Sequence, residues 1–289
     1  MPKARKRHVV LAMVGDPHMG SATGILPPEG FENAEGNRIL PSPVQRWLWS
    51  EVWEPMWQWV EQVRKEHDAD LYGLCNGDAV DTHALARILT REPEEQAFIV
   101  QQAFRSVLNL PFSKFYIIRG TASHVGGEAA SGEESMGRLL AEQGLPVHRW
   151  RHQWTAWEME AEFYGTKVQV AHHGRSGTKQ HTMQSNAAGW AIDIANSYRE
   201  SGLEPPALVV RSHTHTFTDS GASLINPTRY LILPPLQIKN AFAHKVSAHR
   251  PVHLCAVGGV VAIFYPQGGY TLRAFTRKPA APKPVVTVA

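Results

Sequence analysis

The sequence predicts an α/β fold with a site along the carboxyl edge of its strands, and two observations predict it. Short apolar runs of strand character alternate with stretches of helical period. Five of those runs end in residues that bind metals or shape loops. Val9 to Val14 leads into Gly15-Asp16-Pro17-His18, and Leu71 to Cys75 into Asn76-Gly77-Asp78-Ala79-Val80-Asp81. Phe115 to Arg119 leads into Gly120-Thr121-Ala122-Ser123-His124, Val168 to Ala171 into His172-His173-Gly174, and Leu208 to Arg211 into Ser212-His213-Thr214-His215. A single Asp after a strand reads as a turn residue or helix cap. Five repeats of the arrangement, at the edge where open α/β sheets carry their sites, read as one site.

The elements follow in order. Gly20 to Pro43 is rich in Gly, Pro, Glu and Asn and reads as a long loop. Ser42-Pro43 opens a helix, with Ser as N-cap and Pro at the first helical position. Trp49, Trp53, Trp57 and Val60 share one face of it, and Pro55 should kink or divide it. Packing of these tryptophans onto the sheet is favoured over a base-stacking platform. Trp47 and Trp59 lie off that face and are the candidates for exposed contacts. A second helix is expected from Pro93 to about Asn109, with Ala97, Val100, Phe104, Val107 and Leu108 in helical register. Ser131-Gly132-Glu133-Glu134 reads as a capping box for a helix that stops at Gly144. Gly165 between alternating runs suggests a hairpin, and Asn186 to Ser201 a helix closed by Gly202 and Pro205-Pro206. Tyr230 to Leu233 and Val257 to Tyr265 read as strands, with a Gly268-Gly269 hairpin leading to Tyr270 to Phe275. The absence of repeats and linkers predicts one domain over residues 1–277, with a disordered Pro, Ala and Lys rich tail over 278–289.

A chain of 289 residues with 43% hydrophobic content can bury a full core without staples. The net charge of +3 resides largely in Lys3 to Arg7 and Arg277 to Lys283, so charge alone gives no case for nucleic acid. Two cysteines, Cys75 and Cys255, make no disulfide framework and suggest a reducing compartment. The Val9 to Val14 run is too short for a signal peptide, and no stretch approaches the roughly 20 apolar residues of a membrane span. A soluble cytoplasmic protein with no membrane partner is therefore expected.

Asp16, His18, Asp78, His124, His172, His173, His213 and His215 form a mixed carboxylate and imidazole set suited to divalent Mn, Fe, Co, Ni or Zn. In order, Asp-x-His, Gly-Asp-x-x-Asp, a Gly to His loop, a strand-ending His and a His-x-His pair resemble the calcineurin-like metallophosphoesterase superfamily. The resemblance spans Gly15 to His215, about two-thirds of the chain. It implies an αββα sandwich, two mixed β-sheets flanked by helices, around two divalent metal ions. It also implies roles: Asp16, His18 and His215 on one ion, Asp78 bridging, and His172 with His213 on the other. His173 is the alternative to His172, Asp81 orients its neighbours, and His124 is the general acid. The family's third motif usually reads Gly-Asn-His-Glu or Gly-Asn-His-Asp. Here Gly120-Thr121-Ala122-Ser123-His124 has no Asn, which leaves its place to Thr121, Ser123, water or His124, a variant similar to bacteriophage-type and uncharacterised branches. Ser212 stands where Gly is usual. The remaining histidines, His8, His67, His83, His148, His152, His181, His244, His249 and His253, read as surface or core residues.

The expected function is hydrolysis of a phosphodiester or phosphomonoester by a metal-bridging hydroxide. A nuclease or nucleic-acid end-processing enzyme is the alternative, with Arg87, Arg91, Arg119, Arg175 and Lys179 as phosphate contacts. A metal-stabilised, non-catalytic scaffold that binds through the Trp-rich helix is the alternative from outside enzymes.

Overall fold

A computed structural model describes residues 7–82, 88–90, 92–127, 130–174, 183–221, 227–238 and 256–280. Two five-stranded mixed sheets carry the fold. In the first, β1 (His8–Val14), β4 (Ala69–Asn76) and β5 (Phe112–Ile118) run parallel, and the late hairpin β11 (Val257–Phe264) and β12 (Tyr270–Arg277) adds antiparallel strands, giving the order β12-β11-β1-β4-β5. In the second, β7 (Thr166–Ala171), β8 (Leu208–Arg211) and β10 (Arg229–Ile232) are parallel. They are flanked by β6 (Glu158–Phe163) and β9 (Thr218–Asp219) in the order β6-β7-β8-β10-β9.

Strand alternation sorts the side chains into layers. On β1, Val9, Leu11 and Met13 point into a core shared with Val168 and Val170 of β7, Val210 of β8 and Leu231 of β10, so the two sheets pack face to face. Val10, Ala12 and Val14 point the other way, into a larger core under the helices. That outer layer holds α1 (Pro43–Trp47), a π-helical turn (Leu48–Trp53), α2 (Glu54–Glu66), α3 (Pro93–Phe104) and α4 (Ser131–Glu142). On the far side α5 (Met183–Glu200) covers Val209, Tyr230 and Ile232 through Ala187 and Ala191. The layers are therefore helix, sheet, sheet, helix.

Several expectations are met in detail. Ser42 caps α1 in a reciprocal capping box with Gln45, whose amide also donates to the Ser21 carbonyl at 3.1 Å and ties the loop after β1 to the helix. Pro55 divides the helix in an unexpected way. It has no N–H to give residue 51, and the preceding turn widens so that the Glu54 N–H donates to the Trp49 carbonyl. Trp49, Trp53 and Trp57 are buried, and the Trp53 indole donates to the Ala103 carbonyl and Ser106 Oγ. The loop from Gly20 to Pro43 contains a small hairpin, β2 (Phe31–Glu32) and β3 (Arg38–Ile39). α3 ends at Phe104 and continues as turns.

The capping box at Ser131 is a correction. The N-cap position of α4 is Ala130 in a left-handed conformation with no side-chain cap, because Glu133 and Glu134 are drawn into other bonds. Among the described residues no helix is long and apolar enough to cross a membrane. Cys75 is a free, buried thiol, and burial pushes its pKa well up. Cys255 and residues 281–289 of the tail lie outside the described residues.

Candidate metal centre

The loops after five strands, three in the first sheet and two in the second, meet at one edge of the packed pair of sheets. Asp16 and His18 follow β1, Asp78 and Asp81 follow β4, Thr121 and His124 follow β5, His172 and His173 follow β7, and His213 and His215 follow β8. All nine expected site residues fall into four overlapping donor groups: Asp16, His18 and His215; Asp16, Asp78 and His172; His172, His173 and His213; His18, Asp81 and His124. The backbone is bent to achieve this. Asp16, His18, Asp78, His213 and His215 all have positive φ, between 44° and 70°, a conformation that an L-residue adopts at a cost of roughly 1–3 kcal/mol. Strain concentrated on the donors marks them as the reason for the loops.

Glycine makes the loops fit. A Cβ on Gly120 would lie 2.1 Å from Asp78 N and 2.2 Å from Asp78 Oδ1. Gly77, at φ +79°, would put a Cβ 2.3 Å from His172 Nδ1. Neither position tolerates a side chain without moving a donor. Ser212 accepts from the Asn76 amide at 2.9 Å, which links the loops after β4 and β8.

The donor set demands cations. His172 Nδ1 lies 2.9 Å from the Asn76 carbonyl, which only accepts, so Nδ1 carries the hydrogen and Nε2 of the neutral ring is a bare acceptor. That Nε2 is 3.1 Å from Asp78 Oδ2, another acceptor. Only a proton or a metal ion between them makes the pair favourable. On the other side of Asp78, His18 Nε2 and His215 Nε2 approach to 3.1 Å, with Asp78 Oδ2 3.9 Å from His18 Nε2 and Asp16 Oδ1 3.9 Å from His215 Nε2. Ligands roughly 2.0–2.2 Å from a divalent ion stand about 2.8–3.6 Å apart as neighbours, from octahedral to tetrahedral, and about 4.0–4.4 Å apart across an octahedron. The residues present thus fit two ions that share Asp78.

Electrostatics keeps most donors in the ligating form. Burial lowers His213 to about 4, with the His172 charge adding to it, and lowers His173 and His215 as well, so all three imidazoles are neutral near pH 7. Against burial, His172 by charge and hydrogen bond, helped by His18 and His124, holds Asp78 well below the usual carboxylate range. Burial raises Asp16 to about 6. Burial would lower His172, but Asp78 and Asp16 raise it to about 10, so without metal a proton occupies the place beside Asp78. Burial likewise opposes, and Asp81, Asp78 and Asp16 outweigh, in raising His18.

Asp81 is buried between two rings. Its Oδ1 is 2.8 Å from His124 Nδ1 and its Oδ2 3.3 Å from His18 Nδ1. Burial raises a carboxyl, but the bonds to His124 and His18 prevail and hold Asp81 far below its ordinary value. His124 therefore stands on the Asp81 side of the cluster. Ser123 is exposed, whereas Thr121 reaches the donors directly: its N–H donates to Asp78 Oδ1 at 2.6 Å, and its Oγ1 is 3.2 Å from Asp78 Oδ2.

No protein-family model matches the sequence, and no curated protein does. Solved structures do. The chain is similar to Vps29 of Chaetomium thermophilum, with 11% identity and a TM-score of 0.40, covering 93% of this chain and 98% of that one. It is also similar to hypothetical protein PH1004 of Pyrococcus horikoshii OT3, with 8% identity and a TM-score of 0.38, covering 92% and 87%. At this identity and TM-score the likeness decides nothing further, and the functional reading rests on the donor set.

One residue at the site has no signal in the sequence beyond a resemblance to a helix cap. Glu133 is fully buried, and its carboxylate accepts from the Ala79 N–H at 3.1 Å and the Gly120 N–H at 2.9 Å, pinning together the two loops that hold Asp78 and Thr121. Burial pushes its pKa up to about 7, while those two N–H groups act to keep it ionised. Arg119 does not serve as a phosphate contact. It is buried, donates to Thr155 Oγ1 at 2.7 Å and pairs with Glu134 at 3.2 Å. Arg87, Arg91, Arg175 and Lys179 lie outside the described residues. Trp47 and Trp59 are partly buried against the core, Trp59 beside Phe275. The exposed tryptophan is Trp157, over which the Arg119 guanidinium sits at 5.2 Å. His8 and His67 meet each other, His148 packs on Tyr116 and Trp150, and His152 is exposed. His83, His181, His244, His249 and His253 lie outside the described residues.

Proposed function

We propose that the protein is a metal-dependent phosphoesterase. The observation that supports this most directly is the sharing of Asp78 by two donor sets, Asp16, His18 and His215 on one side and His172 with His213 on the other. Paired divalent ions, when bound, supply an activated water and neutralise charge on a phosphoryl group. The chain's own residues do the rest. Asp78 carries a full negative charge between the two positions, and neutral His213 and His215 offer lone pairs there without competing for protons. His124, with Nδ1–H held by Asp81, can donate from Nε2 only as the doubly protonated ring, and in that form it would pass the Nε2 proton to the leaving oxygen and be left as the neutral Nδ1–H tautomer. Asp81 is a positioning residue for both His124 and His18.

The substrate is a phosphodiester or phosphomonoester. Arg119, buried and paired with Glu134, leaves the nucleic-acid alternative without a described phosphate contact. A scaffold has no use for a strained cluster of ligands with two cation positions, which favours the enzymatic reading.

The test is metal content together with hydrolysis of activated mono- and diesters. The purified protein should hold two ions and hydrolyse at least one ester class. Asp78→Asn should reduce the content to one ion or none and abolish turnover, because the shared position needs its charge. Retention of both ions and near-normal turnover in Asp78→Asn would overturn the assignment.

A further inference from the structure

The side of the cluster that departs from the family pattern is built differently from the other. Thr121 Oγ1 stands 3.1 Å from His213 Nδ1, 3.2 Å from His173 Nε2, 3.4 Å from His172 Nε2 and 3.2 Å from Asp78 Oδ2. A hydroxyl has one hydrogen and two lone pairs, so it supports at most three hydrogen bonds. Four polar neighbours exceed that number. With the His172 ring neutral, its Nε2 and Asp78 Oδ2 are both acceptors, so the hydroxyl hydrogen satisfies at most one of them. A shared cation would serve all four atoms around Oγ1. Each separation falls in the range of about 2.8–3.6 Å between neighbouring ligands of one divalent ion. The donor atoms of His172, His173 and His213 also lie within 4.8 Å of one another.

We infer that the second ion is held by three imidazoles, His172, His173 and His213, with the Thr121 hydroxyl in the place usually filled by Asn and with Asp78 shared. His172 and His173 are thus both ligands rather than alternatives. The inference rests on the two-ion reading proposed above and adds a chemical consequence. The first position has two carboxylates and two imidazoles, Asp16, Asp78, His18 and His215. The second has three imidazoles, one carboxylate and a neutral hydroxyl. Nitrogen-rich sets favour zinc, cobalt and nickel over manganese and magnesium, whereas carboxylate-rich sets discriminate less. The two positions therefore differ in selectivity, with zinc retained at the three-imidazole position under an excess of manganese. Local structure supports the geometry. The Asn76 carbonyl orients the His172 ring, the Thr121 N–H is fixed on Asp78 Oδ1, and the exposed His173 ring is drawn to 4.6 Å from His213 and 4.8 Å from His172.

The test uses the full chain stripped with chelator and reloaded with zinc, cobalt(II) or manganese, read by metal analysis and by the visible absorption of cobalt. Wild type should bind two ions, one of them zinc that survives dialysis against excess manganese. His173→Ala, a change on an exposed loop, should weaken that ion by at least about 10²-fold, and Thr121→Val, nearly isosteric, by about 10-fold, both keeping the first ion. Two variants that hold the second ion as tightly as wild type would overturn the inference while leaving a hydrolytic two-ion wild type intact. Tighter binding in Thr121→Val would also overturn it, since the hydroxyl would then occupy the ion's own place. Fewer than two ions in wild type would remove the parent reading and this one together.

Discussion

In the proposed reaction, leaving-group chemistry turns on Asp81 and His124. A buried carboxylate 2.8 Å from Nδ1 fixes the ring and places the Nδ1 hydrogen, which sets His124 apart from the histidines proposed as ligands. An acid matters when the leaving alkoxide is strongly basic and little when it is a nitrophenolate. His124→Ala should therefore lose roughly 10² to 10⁴ in rate on alkyl esters, with a much smaller loss on nitrophenyl esters and unchanged metal content. Steady-state rates on the two ester classes, with metal analysis, check this; equal losses accompanied by loss of an ion would make His124 a ligand. The nine clustered residues were legible in the sequence because each ends a strand-like run in a residue type that binds metals. Thr121 was legible only as one of several substitutes for a missing Asn, since nothing in Gly-Thr-Ala-Ser-His says which oxygen turns inward. The backbone decides that, through the Thr121 N–H on Asp78.

At the scale of elements, the first turn of α4 acts as an anchor for loops rather than as a capped helix start. Glu133 binds the Ala79 and Gly120 N–H groups, and Glu134 binds the Trp154 and Thr155 N–H groups and Arg119. A Ser-x-Glu-Glu string carries the same letters for either use, and only tertiary contacts distinguish them. Glu133→Ala should leave two buried N–H groups without acceptors, at roughly 1–3 kcal/mol each. Urea denaturation under chelation should show that loss, and zinc should bind more weakly because the loops after β4 and β5 lose their common anchor. Glu133→Gln, which presents one oxygen and one N–H₂ to two donors, should fall between. Unchanged stability in Glu133→Ala would show that the anchor is dispensable. Other elements read clearly: the runs before the five site loops became β1, β4, β5, β7 and β8, since buried strands of parallel sheets are near-continuous apolar runs. The two-residue strands β2 and β3 were illegible because they bury almost no period of side chains, and the π-helical turn because its cause is a single absent N–H.

At the scale of the whole molecule, the sequence announced strands but not their partners. β11 and β12 come last in the chain yet complete the sheet that begins with β1, a pairing across some 250 residues that local pattern does not encode. That closure places β1 between β4 and β11, and the two sheets, packed face to face, bring their donor loops to one edge, where the buried carboxylates and imidazoles of the described residues lie together. The pH dependence of stability follows. Without metal, His172 titrates at about 10 when folded and 6.5 when unfolded, so its contribution is complete below pH 6.5 and is lost as pH rises towards 10. The raised His18 acts in the same direction. Glu133, about 7 against 4.5, and Asp16, about 6 against 3.8, lose stability as pH rises through those ranges and have largely finished by pH 7.5. The lowered His173, His213 and His215 contribute a gain that is largely complete by pH 7.5, and the lowered Asp78 and Asp81 one that is complete well below it. From pH 7.5 to 9 the groups of the site that still titrate thus act with one sign. The metal-free protein should lose about 2 kcal/mol from His172 alone over that interval, at ~1.4 kcal/mol per pH unit. With saturating zinc the slope should flatten or reverse, because the ion replaces the His172 proton and binds more tightly as pH rises. Urea midpoints at pH 7.5 and 9, with chelator and with zinc, measure both slopes, and a chelated protein that gains stability over this interval would show that no proton stands in for the ion beside Asp78.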